Sequence, residues 1–295
     1  MTRTLSQKIG KPAAVLPRLS RSFFHEIRKA PVVIRISILG LAIYFLAFLF
    51  GPMLAPYGEN EIVGAQYEFW SSQFLLGTDQ LGRDYFTRIL YGARNSIGIA
   101  LAATAISISV GTLVGLASAC IGGFVDTVLS RCVDIALAIP QLISSLILVA
   151  VFGSSIPVLI AVLGLLEAVR VSRLSRAAAR DIVSQDYVQL SRSMGESTLW
   201  IMFREVLPNM TGAMLAETGL RFSLVFLLIS ALSFLGVGVQ PPTADWGSMV
   251  RESATLITYG EITPLVPALA IGGLTICLNL VIDWFGERGS PNAEF

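Results

Sequence analysis

The chain has 295 residues, of which 54% are hydrophobic and only 14% charged, and its formal net charge is +1. A soluble domain carries about 25% charged residues, so this composition excludes an ordinary water-facing globule and fits one membrane domain of several helices. One histidine (His25) and three cysteines without a CxxC pair give no basis for a histidine-built metal site, a nucleophilic set or a disulfide framework.

Residues 1–31 read as a basic cytoplasmic arm. Arg3, Lys8, Lys11, Arg18, Arg21, Arg28, Lys29 and Arg35 cluster around the start of the first apolar run. The arm is too long for the charged start of an ordinary signal peptide, so the run from Val32 to Leu54 reads as an uncleaved first helix. Backbone polar groups in lipid must be satisfied internally, which makes helices the default for long apolar runs. Six such runs are expected, at about 32–52, 95–120, 127–152, 156–172, 211–237 and 262–285. The first, with the loop to residue 94, precedes a transmembrane core over 95–285; residues 286–295 form a tail.

In the second run Gly111 and Gly115 form a GxxxG pattern that favours close helix packing. Pro140 interrupts the third, where it should kink the helix, either as packing geometry or as a hinge near a substrate path. The turn Gly153-Ser154-Ser155-Ile156-Pro157 makes the third and fourth runs a hairpin. Arg170, Arg173, Arg176, Arg180, Arg192 and Arg204 follow the fourth run, whereas loops 53–94 and 238–261 are mixed or acidic. With six spans, the positive-inside rule puts both basic clusters and both termini in the cytoplasm. Glu217 and Arg221, four residues apart in the fifth run, can pair on one helix face. Glu167 and Arg170 are expected at the cytoplasmic end of the fourth run, and Asp126, Asp134 and Asp283 close to span ends.

The segment from Ala178 to Asn209 is too charged to span and too regular for an idle loop. Tyr187, Leu190 and Met194 share a helix face, Gly195 breaks the helix, and Ser197 can cap a second one bearing Trp200 and Phe203. Leu207-Pro208 is expected to end that second helix before the fifth span. The result is an amphipathic helix–turn–helix, suited to a protein partner or to lipid headgroups.

The spacing from Gly195 to Leu207-Pro208, with the Tyr187-Val188 entry, resembles the EAA loop of ABC importer permeases. Gln189-Leu190-Ser191 stand where that family has Glu-Ala-Ala, and Glu205 occupies an apolar position. The stretch from Leu76 to Arg94, LGTDQLGRDYFTRILYGAR, is similar to the LGTD-x2-GRD-x3-R-x3-GAR signature of the second permease in dipeptide, oligopeptide and nickel importers. Thr78 and Asp79 can cap a helix start, Gly82-Arg83-Asp84 offers a charged pair at a turn, and Gly77 belongs to the signature. Asp79, Arg83, Asp84 and Arg88 read as a salt-bridged knot, with contact between Arg83 or Arg88 and peptide carboxylates as the alternative. Pro241 to Gly247 reads as a rigid external loop whose Trp246 anchors at the interface or meets a binding protein.

The resemblance extends over nearly all of the chain beyond about residue 30. It implies an all-α permease of six transmembrane helices in the bacterial inner membrane, with a coupling helix in which Tyr187, Gln189, Ser191, Gly195, Trp200, Phe203, Leu207 and Pro208 meet an ATPase. It also implies a homologous permease partner, two ABC ATPase subunits and an external solute-binding protein. No GxxxxGK[ST] loop occurs, so ATP and its magnesium are expected on those ATPases and no cofactor or metal on this chain. The cargo it implies is a peptide or peptide-like solute moved by alternating access, with a nickel chelate or opine as the alternative; a stand-alone secondary transporter or a membrane enzyme are the readings from other classes. No nucleic acid is implied.

Overall fold

A computed structural model of the chain describes residues 30–289; the expectations for the basic arm and for the end of the tail concern residues outside that range. Among the described residues the chain is all-helical, with only isolated β-bridges at Ile62–Arg83 and Thr78–Asp84. The helices are α1 (Val32–Leu54), α2 (Tyr85–Ile121), α3 (Gly123–Leu137), α4 (Gln141–Phe152), α5 (Ile156–Val183), α6 (Asp186–Ser193), α7 (Thr198–Phe234), α8 (Trp246–Ser253) and α9 (Leu265–Gly289).

Four of them, α1, α2, α7 and α9, are long and apolar enough to cross a membrane. The count becomes five if α3 and α4, bent by 90° at residues 138–140, form one broken span. Pro140 sits at that break as the cap of α4 and donates no backbone hydrogen bond. The six-run expectation differs at α5, a 28-residue helix whose apolar half carries Glu167 and Arg170.

The second run also starts earlier than its hydropathy suggests. The helix begins at Tyr85, with Asp84 as the cap that accepts from Thr87 N at 2.8 Å. Half of the 76–94 signature is therefore helix, and Thr78 and Asp79 do not cap it. Apolar windows miss this because Arg88 and Arg94 interrupt them.

The centre of the bundle is the contact of α2 with α5. A Cβ on Gly111 would lie 2.6 Å from the Ala168 carbonyl oxygen, and one on Gly115 would lie 2.7 Å from that of Ser172. Only glycine lets the two backbones approach so closely. Ser175 Oγ then donates to Gly111 O at 3.0 Å across the seam. Around it, Ala100 and Ala103 of α2, Leu163 of α5, and Phe226 and Ile229 of α7 form the main core.

The 241–247 stretch is loop only as far as Asp245. Residues 246–253 make the helix α8, which is folded against α2, α7 and α9. Trp246 is buried, donates from Nε1 to Ile89 O at 3.0 Å and packs edge-on to Tyr44 and Phe226. It is neither an interfacial anchor nor a free docking ring. Its neighbour Asp245 caps α8 and accepts from Ser96 Oγ at 2.8 Å, which seats α8 on α2. Burial pushes the Asp245 carboxyl above the usual carboxylate range.

Candidate functional site

Three polar or amphipathic sites stand out, and two of them lie at opposite ends of α2, roughly 50 Å apart at 1.5 Å per residue. The corner at its C-terminal end is made by α6 and the start of α7. Gly195, at φ 87°, ends α6: its N–H reaches Arg192 O at 3.1 Å and Glu196 N reaches Ser191 O at 3.1 Å. Those two bonds close a helix terminus through a left-handed residue, which favours glycine. Two residues later Ser197 caps α7, accepting from Trp200 N at 3.3 Å.

The second helix of this corner does not stop at Leu207-Pro208. Residues 201–206 form a π turn, and α7 continues through Pro208 to Phe234. Proline close to a helix start looks the same in sequence as proline after a helix end. The wider turn accommodates the missing proline N–H.

One face of the corner is buried. Val188, Ile201, Met202 and Val206 pack with Leu116 and Cys120 of α2 and Ala179 of α5. The other face is bare: Met194 is 74% exposed and Leu199 67%, with Tyr187, Leu190, Trp200 and Phe203 exposed beside them. Arg192 Nη2 donates to Cys120 O at 2.9 Å, tying α6 to the end of α2. Gln189 Nε2 donates to Val183 O at 2.8 Å. Ser191 Oγ donates to Glu205, so two departures from the EAA pattern touch each other. Tyr187 accepts from Asn209 Nδ2 at 3.2 Å, and burial together with the Glu205 carboxylate pushes its phenol up.

The second site is a buried ion cluster midway along the bundle. Arg221 donates to Glu217 on its own helix and from Nη1 to Glu167 Oε2 at 2.9 Å. Gln141, the first residue after the Pro140 break, donates to the same Glu167. Glu167 thus pairs with Arg221 across two helices. Nearer the corner, Asp126 is held by Arg176 at 2.6 Å and by Arg180.

The third site is the knot at the N-terminal end of α2. Arg83 Nε donates to Asp79 Oδ2 at 2.6 Å, and Arg88 Nε lies 3.4 Å from the same oxygen. Both guanidinium groups also face Glu252 of α8, at 3.9 and 3.7 Å. All four side chains are largely buried. The glycines of the signature have a steric reason. A Cβ on Gly77 would come 2.3 Å from Glu68 O, and one on Gly82 would come 2.2 Å from Gly64 O, because residues 64–68 cross directly over them. Thr78 Oγ1 straps that crossing segment, donating to Ala65 O at 2.6 Å and accepting from Glu68 N at 2.8 Å.

A family profile described as the binding-protein-dependent transport system inner membrane component matches residues 107–292. The chain belongs to this family. It is 33% identical to the di/tripeptide transport system permease protein DppC of Pseudomonas aeruginosa, with 96% of this chain and 95% of the relative covered. It is 31% identical to the dipeptide transport system permease protein DppC of Haemophilus influenzae over 88% of this chain and 90% of the relative. The glutathione transport system permease protein GsiD of Pectobacterium atrosepticum is 28% identical over 93% of this chain and 91% of its own length. A crystal structure of an amino acid ABC transporter with histidines superposes with a TM-score of 0.52 at 18% identity, covering 69% of this chain and 95% of that one, a likeness of fold.

The protein is therefore a permease subunit of an ABC importer, multi-pass in the inner membrane, and a transport component rather than an enzyme; ATP hydrolysis falls to separate ATPase subunits. Within this permease, Asp79, Arg83 and Arg88 come together, and Asp84 stands apart as the helix cap. Glu217 and Arg221 are joined. Leu207 and Pro208 lie inside α7 beyond the exposed face. Sequence spacing does not reveal Glu252, Glu167 with Gln141, or Arg192, because each meets its partner from a distant element. Glu59 is a further case: it accepts from Asn95 Nδ2 at 3.1 Å and from Ala244 N at 2.6 Å, fastening the first loop to the approach of α8.

Proposed function

We propose that this permease carries peptides or peptide-like solutes through a pore shared with a homologous permease, and that the 186–206 corner receives the ATPase. The observation that carries the coupling role is the bare apolar face of Tyr187, Leu190, Met194, Leu199, Trp200 and Phe203, mounted on a core-packed inner face. Exposed aromatic and Met side chains at the centre of a patch suit a protein partner. A shove on this corner passes to α2 through Arg192 and to α7 through its continuous helix, which suits a rocking, alternating-access cycle. The names of the relatives support the peptide cargo.

In this reading α5 is the fourth of six spans, with Glu167 compensated by Arg221 and Gln141 as an intramembrane charge requires. Both termini and the arginines of 170–204 face the cytoplasm, and the knot faces outward toward the solute-binding protein. The test is ATP-driven peptide uptake by the reconstituted complex carrying Gly195→Ala together with Trp200→Ala. Uptake should fall at least about tenfold, the equivalent of about 1.4 kcal/mol of coupling, while the subunits still copurify. Undiminished uptake from an intact double variant overturns the reading.

A further inference from the structure

We propose that the cleft between the 67–76 loop and the 256–266 segment is a binding site for a primary ammonium group carried on an apolar body. The cleft encloses about 390 Å³ and is lined by Tyr67, Trp70, Tyr259 and Ile262, with Glu68 and Glu261 among them. That volume falls within the range of small-molecule sites. Trp70 is 81% exposed and Tyr259 82%, so rings that could have entered the core gather here around a concavity instead.

The electrostatics favour a cation. Aromatic faces attract ammonium groups, and two carboxylates reinforce them. No basic side chain lines the cleft. The nearby guanidinium groups of Arg83 and Arg88 are committed to Asp79 and Glu252. Glu68 is held in place by accepting from Ala65 N, whereas Glu261 has no side-chain partner among the described residues.

The platform is built rather than incidental. Tyr67 has φ 54°, a region that costs a residue with a side chain of its kind about 1–3 kcal/mol and persists only where the surroundings over-determine it. Here they do. Tyr67 N donates to Asp79 O at 3.2 Å, and Thr78 N donates to Glu68 O at 3.1 Å, so the signature segment clamps the strained residue from beneath. Interfacial anchoring is the ordinary role of Trp and Tyr beside an apolar helix end. It accounts for the rings but not for two carboxylate residues in the lining with no basic side chain among them. The ammonium has two available sources, a free solute such as a peptide N-terminus or the headgroup of an ethanolamine lipid.

The probe is phenethylammonium, titrated calorimetrically into the assembled complex in phosphatidylglycerol nanodiscs, with N-acetylphenethylamine as the neutral control. Binding of the charged probe should be saturable and weakened at least about tenfold by either Trp70→Ala or Glu261→Gln, both on exposed positions. The neutral control should not bind. Competition by a free dipeptide but not its N-acetyl form assigns the site to solute; competition by phosphatidylethanolamine alone assigns it to lipid. Equal binding of charged and neutral probes, no saturable binding, or unchanged affinity in both variants overturns the proposal. None of these readouts needs transport, so a failure of the peptide-cargo reading is seen separately, in uptake.

Discussion

The knot and the corner cap opposite ends of the same 37-residue helix, and they are built on opposite plans. At the knot, two arginines and two carboxylates are buried together, with Arg88 Nη2 left without a hydrogen-bond partner, and a loop is strapped over the signature glycines. At the corner, only the inner face is satisfied within the chain, and six large side chains stay exposed on the outer one. One end closes on the chain's own charges, and the other keeps an exposed apolar face. Buried charge and bare apolar surface thus occupy separate ends, with α2 and its glycine-packed neighbour α5 between them.

Substitutions should separate the two plans by what they damage. The largest loss of stability is expected at the knot. Arg88→Ala leaves Asp79 and Glu252 buried with less positive charge, and removing one partner of a buried ion pair costs about 3–5 kcal/mol. Thermal unfolding of the detergent-purified permease should show it as a clear fall in midpoint; a shift of a degree or less would mean the ion pairs do not fasten this end. Next comes the middle of the bundle. Glu167→Ala strands the Gln141 amide and leaves Arg221 with Glu217 alone, at a cost of about 3 kcal/mol by the same measurement. A loss no greater than that of an exposed control would refute the role of this cluster in holding the Pro140 break.

At the corner the effects should shrink and change character. Ser191→Ala leaves Glu205 without its donor, for about 1 kcal/mol, and adding Glu205→Ile should restore most of it. The double-mutant cycle is the readout, and strict additivity would show that the two positions do not act as a pair. Smallest in stability is Leu199→Ser, expected within about 0.5 kcal/mol because the side chain touches mainly solvent. Its effect should appear instead in ATP-driven uptake, with the ATPase still copurifying. Normal uptake would remove Leu199 from the proposed docking face.

Much of this was legible before any coordinates. Helical membrane character follows from composition, and the Pro140 break and Gly195 turn follow from residues whose backbone chemistry allows little else. The pairing of Glu217 with Arg221 is local, four residues apart, and helix geometry predicts it. What stayed hidden depends on distance or on ambiguity of sign. Glu252 joins the knot from across 164–173 residues of chain, and nothing in its own neighbourhood points there. Trp246 has the composition of an interface anchor but meets Gly92, where a Cβ would lie 2.7 Å from its ring, and that gap is invisible in a linear pattern. Pro208 was ambiguous because a proline marks both where helices begin and where they cannot continue.

The π turn at 201–206 has a rotational consequence. Each residue in an α-helix advances the side-chain direction by about 100°, so the extra residue in this turn sets the phase between the corner and everything beyond it on α7. Deleting one residue there would let the turn relax to α-helical bonding. It would also swing Glu217 and Arg221 about a quarter-turn or more away from Glu167, relative to the exposed face. The bulge works like the offset of a crankshaft, fixing which way the buried charges look relative to the exposed apolar face.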